Sequence, residues 1–357
     1  MTRPLISVVM PVYNRERYVG AAIESILGQT FPDFEFIIVD DGSTDETVHV
    51  IESFDDPRIR LVSLDTNRGI SHALNMGIGV AKGKFIARAD SDDISLPRRL
   101  ERQLEYMDSH PDIGICGASI GWVDANGHPL PKPFDEWHAI TDPEQAKIRL
   151  LYGVPFAHPT FFVRRWIYQA IPYRSHWDLA EDYGFLVEAS RLTSLGGLKE
   201  KLMLVRQHPE RSSRLQIARQ NEIAMQISMA MLMQLGVTLD QNDRENWRLF
   251  FRPPPWPLST EELRAVDELG ARILTANMKS KKLDAGLLQS FFSKQWWQLC
   301  RRACHLGSPV AALYSNSKLK WKGPMSGFYG IRMATLCRGI GREVSLARWL
   351  AKRMMHR

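Results

Sequence analysis

The first 120 residues alternate short apolar runs with stretches of helical periodicity, and this alternation restricts the chain to few folds. The runs are rich in β-branched residues and too short for helices, which is typical of buried strands. The strand candidates are 6–10, 34–39, 59–64, 84–89 and 113–117, and the helix candidates are 18–27, 71–81 and a segment opened by Pro97. Strands that alternate with helices predict βαβ units. We therefore expect an α/β fold with a Rossmann-like, mostly parallel sheet and flanking helices.

Polar clusters follow four of these strands, at the point where each strand ends. They are 11–14, 40–44, 65–69 and 90–93. Ligands of parallel sheets bind at the carboxyl ends of the strands, which meet at one edge. The sequence therefore predicts a single acidic crevice of nucleotide size.

Several local signals refine this outline. Ser43 and Glu46 have the spacing of a capping box, which predicts a helix that begins there. Asn126–Gly127 is typical of a hairpin turn. After about residue 215 the chain is mainly helical, and the proline run 253–255 indicates a linker or a sharp turn.

The string Asp90-Ser91-Asp92-Asp93 directly follows the fourth strand. Carboxylates two residues apart at a strand end can converge on one hard cation, and Mg²⁺ or Mn²⁺ in such a site keeps positions open for substrate phosphates. The ion would offset the charge that builds on a departing diphosphate. The same string is compatible with a solvated turn that places negative charge before the next helix.

Three further polar groups are candidates, and each has a structural alternative. Asp41 can accept the N–H of a uracil ring or bind ribose hydroxyls, or it can cap the next helix. Glu181–Asp182 can supply the carboxylate that takes the acceptor proton in an inverting sugar transfer, or it can mark an exposed helix start. His208 can ligate the metal or contact the diphosphate. His158, flanked by aromatic residues, is at least as compatible with a structural role.

Charge, cysteine content and hydropathy indicate the cellular compartment of the protein. Residues 271–357 hold 17 Lys and Arg against Asp284 and Glu343, so this segment carries about +15 and the preceding residues about −9. The four cysteines form no C-x-x-C pair, which indicates a reducing compartment. The N-terminal apolar run is too short for a signal peptide, and no apolar stretch reaches the ~18 residues of a membrane span. We expect a cytoplasmic protein, soluble or peripheral at the inner face of the membrane.

Taken in order, six segments resemble the family 2 glycosyltransferases. They are VVMPVYN (8–14), FEFIIVDDGSTDET (34–47), NRGISHALNMGIGVAKGKFIARADSDD (67–93), PFAHPTFFVRR (155–165), AEDYG (180–184) and VRQHPERSS (205–213). The resemblance implies a GT-A catalytic domain over residues 1–214. Within this domain, a nucleotide-binding half would cover about 1–120 and an acceptor half about 121–214. Residues 215–357 would form a separate helical basic region.

The resemblance also implies roles for individual residues. The expected nucleotide-binding set is Pro11, Tyr13, Asp41, Arg68 and Asp90. Asp90 and Asp92 match the family's D-x-D pair, with Asp92 as the direct metal ligand and His208 as a histidine near the metal and diphosphate. Asp182 matches the general base.

The expected enzyme is an inverting hexosyltransferase that depends on Mn²⁺ or Mg²⁺. It would move a sugar from a nucleotide diphosphate sugar, with a UDP-sugar favoured, to a saccharide or lipid-linked saccharide in surface polysaccharide or lipopolysaccharide biosynthesis. HPERSSR stands where processive members carry Q-x-x-R-W, which favours a non-processive enzyme. One alternative is a catalytically inactive scaffold that binds nucleotide sugars. A sugar nucleotidyltransferase would normally show a glycine-rich loop after the first strand, and MPVYNRE has no glycine.

Two interpretations of the basic C-terminal segment are equally compatible with its sequence. Its last residues, GREVSLARWLAKRMMHR, can form a basic amphipathic helix, which suits an anionic membrane surface. Alternatively, the segment packs an apolar stripe on the catalytic core and shows solvent a basic face. No nucleic-acid-binding motif accompanies the charge, so we expect no nucleic acid partner.

Overall fold

The computed structural model describes residues 3–131, 136–211, 216–251, 253–254, 258–320, 322 and 329–338. The chain divides into two compact units, Met1–Ile227 and Ser228–Arg357. The first unit contains the sheet and the second is helical. The domain boundary that we expect near residue 214 falls inside the first unit, and it stays a prediction.

The first unit is built on a nine-stranded sheet. The strands are β1 (Ile6–Val12), β2 (Phe34–Asp40), β3 (Ile59–Ser63), β4 (Phe85–Arg88), β5 (Ile94–Ser95), β6 (Ile113–Val123), β7 (Glu136–Trp137), β8 (Phe162–Arg164) and β9 (Ser194–Arg206). Their order is β3-β2-β1-β4-β8-β6-β9-β5, with β7 paired to β6. The strands β3-β2-β1-β4 are parallel, β8 is antiparallel to both β4 and β6, and β6 is parallel to β9. The C-terminal ends of β1, β2, β4, β6 and β9 therefore point toward one edge.

Helices flank this sheet. They are α1 (Val19–Leu27), α2 (Thr47–Glu52), α3 (Ile70–Val80), α4 (Arg99–Ser109), α5 (Pro143–Arg149), α6 (Arg165–Ala170) and α7 (Glu181–Ala189). In α1 the buried residues are Val19, Ala22, Ile23 and Ile26, which is the spacing of an amphipathic helix. Every residue of β1 is buried, as expected for a strand covered on both faces. The expected α/β fold is confirmed.

Two local predictions have different outcomes. The hairpin turn at Asn126–Gly127 is confirmed, because the N–H of Gly127 donates to the carbonyl of Asp124 at 3.1 Å and Asp124 pairs with His128. The capping box at Ser43 is wrong, since α2 begins only at Thr47 without a side-chain cap. The Ser43 hydroxyl instead accepts the backbone N–H of Asn14 at 2.9 Å. A contact between two strand-end loops has taken the place of the local cap.

The second unit is an aromatic-rich helical assembly. Its helices are α8 (Ile217–Gln234), which begins in the first unit, α9 (Asp243–Phe251), α10 (Thr260–Ser280), α11 (Ala285–Arg302) and α12 (Ser308–Asn316), followed by helical residues 329–338. A complete capping box between Ser259 and Glu262 starts α10. Trp247, Phe250 and Phe292 form its aromatic centre, with ring centroids 5.1 to 6.4 Å apart. The helical C-terminal region that we expect is confirmed.

Across the described ranges, none of the helices combines the length and apolar character that a membrane crossing requires. The basic amphipathic helix predicted for the last residues lies outside the described residues.

Two glycines of α3 test how this helix packs on the sheet. A Cβ on Gly77 would lie 2.6 Å from Cγ1 of Val9 and 3.0 Å from Cγ2 of Val39, whereas a Cβ on Gly79 would meet no atom within 4 Å. We expect Gly77→Ala to lower the free energy of unfolding by ~1–3 kcal/mol through overpacking. Gly79→Ala should raise it by up to ~1 kcal/mol, because alanine is the better helix former. Urea denaturation measures both changes, and equal effects would contradict this packing.

Candidate active site

The sheet edge brings together residues that are far apart in the sequence. His208 Nε2 lies 2.9 Å from Asp92 Oδ2, although 116 positions separate the two residues. Arg15, from the loop after β1, places Nε 3.4 Å from the same carboxylate oxygen. The backbone N–H of Arg206 donates to Asp93 Oδ1 at 2.9 Å, which joins the loop after β4 to the end of β9. Asp92 and His208, the expected metal ligands, therefore lie side by side.

Three carboxylates are concentrated in this loop. Asp90, Asp92 and Asp93 each offer one oxygen, and these oxygens lie within 4.8 Å of one another. Asp90 pairs with the buried guanidinium of Arg88 at 2.5 Å. Burial and the charges of Asp92 and Asp90 raise the pKa of Asp93 well above its usual range. Its Oδ2 is buried and accepts no hydrogen bond from any described residue.

The surroundings of Asp92 stabilise its ionised form. Burial opposes its ionisation, but the hydrogen bond with His208 and the charges of Arg211 and Arg15 outweigh burial and lower its pKa. The side chain of His208 is fully buried, and its ring centroid lies 4.6 Å from that of Tyr18. Asp92 and His208 are therefore held in one arrangement by packing as well as by a hydrogen bond.

These side chains fit a divalent cation. Neighbouring ligands of an octahedral Mg²⁺ at ~2.1 Å lie roughly 3 Å apart, and the distance from His208 Nε2 to Asp92 Oδ2 is 2.9 Å. The free Oδ2 of Asp93 adds a buried lone pair beside the same cluster. Asp93 is buried, and Asp90 and Asp92 are only partly exposed, so this loop is not the fully solvated turn of the alternative interpretation.

The second strand end is organised around Asp41. Its side chain is buried, and its two oxygens accept the backbone N–H groups of Arg68 at 2.8 Å and Gly69 at 2.9 Å. Gly69, at φ +91°, precedes α3. The alternative in which Asp41 caps the next helix is wrong, because α2 follows Glu46 and Asp41 holds the start of α3 instead.

The other expected nucleotide-binding residues differ in exposure. Pro11 is buried within β1, where it pairs with Val39 of β2. Tyr13 is 40% exposed, and Arg68 is exposed as well. The side chains of Tyr13 and Arg68 are thus accessible, while hydrogen bonds fix the loops that carry them.

The E-D pair begins α7 and rests on a buried polar chain. Glu181 Oε2 accepts the N–H of Leu179 at 2.9 Å, and Glu181 Oε1 lies 3.4 Å from His158 Nδ1. His158 Nε2 lies 2.8 Å from the hydroxyl of Tyr173. Burial and the nearby charge of Arg88 lower the pKa of His158 to about 3, so the imidazole is neutral. His158 is therefore part of the support for the E-D pair.

Asp182 differs from Glu181 in being partly exposed. Its Oδ1 accepts the N–H of Tyr183 at 2.7 Å. Burial raises the pKa of Asp182, and the charge of Glu181 adds to this rise. A carboxylate with a raised pKa is a better proton acceptor near neutral pH.

Several residues at this edge are not among the sequence predictions. Asp93 stands next to the predicted pair, and Arg15 stands next to the predicted first loop, so proximity to a motif is the signal that could have found them. Arg206 lies within the segment 205–213, two residues before His208, so the same signal applies to it. Tyr18 carries no such signal, because its importance comes from a contact between elements distant in sequence.

Comparisons with known proteins identify the family of the chain. The family model for glycosyl transferase family 2 matches residues 7–170. An uncharacterized glycosyltransferase of Haemophilus influenzae is 32% identical over 63% of this chain and 72% of its own length. The Escherichia coli O-antigen biosynthesis glycosyltransferase WbnJ is 35% identical over 45% of this chain and 62% of its own length. The chain belongs to the family 2 glycosyltransferases, and it is a glycosyltransferase enzyme.

The fold agrees with a solved structure. That of S. aureus TarS in complex with UDP-GlcNAc aligns with a TM-score of 0.54 at 19% identity, covering 96% of this chain and 92% of the TarS chain. At this identity the likeness concerns the fold, and it confirms the expected GT-A architecture.

Proposed function

We propose that this glycosyltransferase is inverting, non-processive and metal-dependent, and that it transfers a hexose to a hydroxyl of a saccharide or lipid-linked saccharide. The contact between His208 and Asp92 within the acidic cluster carries the proposal, because it places an imidazole beside three carboxylates at the ligand-binding edge. A UDP-sugar is favoured as donor, since TarS was solved with UDP-GlcNAc. The E. coli relative of O-antigen biosynthesis supports a role in surface polysaccharide assembly.

The residues divide the reaction between donor and acceptor. The loop from Pro11 to Tyr13 and the Asp41 region hold the nucleoside, and Arg68 and Asp90 lie toward the diphosphate. Asp92 and His208 would hold a Mn²⁺ or Mg²⁺ ion, which when bound would supply positive charge against the diphosphate.

Asp182 accepts the proton of the acceptor hydroxyl. The acceptor oxygen then bonds to the anomeric carbon as the bond from that carbon to the diphosphate breaks, and the electron pair leaves with the nucleoside diphosphate. Attack from the face opposite the leaving group inverts the anomeric configuration.

The metal assignment is tested at Asp92. We expect Asp92→Asn to lower turnover by roughly 100-fold or more, because the charge that offsets the diphosphate is worth several kcal/mol. The melting temperature should change little, since asparagine keeps an oxygen toward His208. A thermal-shift screen of nucleotide sugars with Mn²⁺ selects the donor, and release of nucleoside diphosphate from it, in Mn²⁺ and in EDTA, measures turnover.

Asp56→Asn is the matched control, because this loop aspartate pairs with Arg58 between α2 and β3. Near-normal turnover with unchanged metal dependence in Asp92→Asn would refute the metal site. A wild-type protein that binds a nucleotide sugar but releases no nucleoside diphosphate would favour the scaffold alternative.

The general base is tested at Asp182. Asp182→Asn should retain donor affinity within about twofold and lose turnover, because a base acts on the transition state and not on the bound donor. Calorimetric titration with UDP measures affinity, and UDP release measures turnover. A large loss of UDP affinity in this variant would make Asp182 a binding residue instead.

We also infer a peripheral contact between residues 271–357 and the anionic, cytoplasmic face of a membrane. The support is the charge of about +15, because each basic side chain near such a surface contributes ~1 kcal/mol. Trp296 and Phe292 are buried in the second unit, so these aromatic residues serve its core. The full chain should pellet with anionic but not neutral vesicles, and less at high salt. A chain ending at residue 340 that pellets equally would contradict a role for the last residues.

A further inference from the structure

Arg206, the last residue of β9, is a buried cation at the centre of the acidic site. Its side chain is only 5% exposed. Nε donates to the backbone carbonyl of Asp92 at 3.0 Å, and Nη1 donates to the backbone carbonyl of Ala125 at 3.0 Å. Its own N–H donates to Asp93 Oδ1 at 2.9 Å. One residue thus joins the end of β9 to the loop after β4 and the loop after β6.

Aromatic packing also connects Arg206 to His208. The guanidinium carbon of Arg206 lies 5.3 Å from the centroid of the Tyr18 ring, and the centroid of the His208 ring lies 4.6 Å from the same centroid. Arg211 donates to the backbone carbonyl of Arg206 at 2.9 Å. Arg206 therefore contacts the backbone of Asp92 directly and is linked to His208 through the Tyr18 ring. It makes no hydrogen bond to Asp92 Oδ2 or His208 Nε2, the atoms that these two residues would offer a metal.

The choice of partners is unusual for a buried charge. Buried cations generally pair with carboxylates, and among the described residues no carboxylate forms an ion pair with the Arg206 guanidinium. Its donors go instead to carbonyls of two separate loops. A guanidinium holds donors in a rigid fork, which fixes the two carbonyls relative to each other in a way that the single ammonium of lysine does not.

We propose that Arg206 is a positioning residue that sets the distance between Asp92 and His208 and thereby prepares the metal site. This inference rests on the proposed metal-dependent function. Asp92 and His208 come from segments 116 positions apart, so their 2.9 Å separation is defined by whatever joins those segments. Groups that orient metal ligands typically change metal affinity by ~10–100-fold when removed.

Arg164 provides a matched control. Its Nε and Nη2 donate to the backbone carbonyls of Ile113 at 2.9 Å and Met107 at 2.8 Å, and its guanidinium lies 5.4 Å from the centroid of Phe85. It therefore makes the same kinds of contact as Arg206. It does so at the beginning of β6, which is the opposite edge of the sheet.

The experiment compares Arg206→Met with Arg164→Met in the full chain. Electron paramagnetic resonance of free Mn²⁺ measures metal affinity, and calorimetry measures UDP affinity in Mn²⁺ and in EDTA. We expect Arg206→Met to weaken Mn²⁺ binding by ~10–100-fold and to lose most of the gain in UDP affinity that Mn²⁺ gives. Its UDP affinity in EDTA should stay near wild type. Arg164→Met should keep wild-type Mn²⁺ affinity.

A second variant covers the case in which Arg206→Met does not fold. Arg206→Lys keeps the charge and the contact with Tyr18 but loses the fork. Its Mn²⁺ affinity should therefore lie below that of wild type and, if Arg206→Met folds, above that of Arg206→Met. Wild-type Mn²⁺ affinity in the folded Arg206 variants, or an equal loss in Arg164→Met, would overturn the positioning role alone. A wild-type protein whose UDP binding is the same in Mn²⁺ and EDTA would overturn the metal-dependent function together with this inference.

Discussion

Repulsion among three aspartates at one strand end is the constraint around which this edge of the protein is built. Their carboxylate oxygens lie within 4.8 Å of one another in a largely buried loop. Unbalanced charge at that spacing would be costly in a low-dielectric environment. Two arginines offset this charge, because Arg88 pairs with Asp90 and Arg15 pairs with Asp92, and His208 is hydrogen-bonded to Asp92. Burial and the charges of the other two carboxylates raise the pKa of Asp93, whereas the hydrogen bond with His208 and the charges of Arg211 and Arg15 lower the pKa of Asp92.

The support continues behind the cluster in a second buried arginine. Arg99, at the start of α4, is fully buried and donates to the carbonyl of Arg88, the hydroxyl of Ser95 and the amide oxygen of Gln103. Burial and the charge of Arg88 lower the pKa of Arg99 to about 9, below that of a free guanidinium. The segment that carries the aspartates is therefore anchored by side chains on both sides. A rigid segment of this kind suits a site whose ligands must keep their spacing when a charged substrate arrives.

The polar chain beneath the E-D pair is likewise held by contacts between buried side chains. The neutral His158 lies between the hydroxyl of Tyr173 and the carboxylate of Glu181, and the Tyr173 hydroxyl lies 3.0 Å from that of Tyr168. Each of these buried groups gains a polar partner, which offsets the free energy of burying them. The consequence is a fixed start for α7, at which Asp182 remains partly exposed. The motif pair thus divides into one residue that anchors and one that remains accessible.

The sequence by itself determined the parallel strands β1 to β4 and the polar clusters that follow them. Apolar runs such as those of β1 and β2, with polar residues directly after them, follow from local periodicity alone. The sequence misplaced the start of α2, because Ser43 satisfies a backbone donor of a neighbouring loop and not of its own helix. Only the tertiary structure decided that Arg206 joins three segments and that His158 is neutral. Such properties depend on distances between residues remote in the chain and on the burial of those residues. The local periodicity of the sequence reports neither quantity.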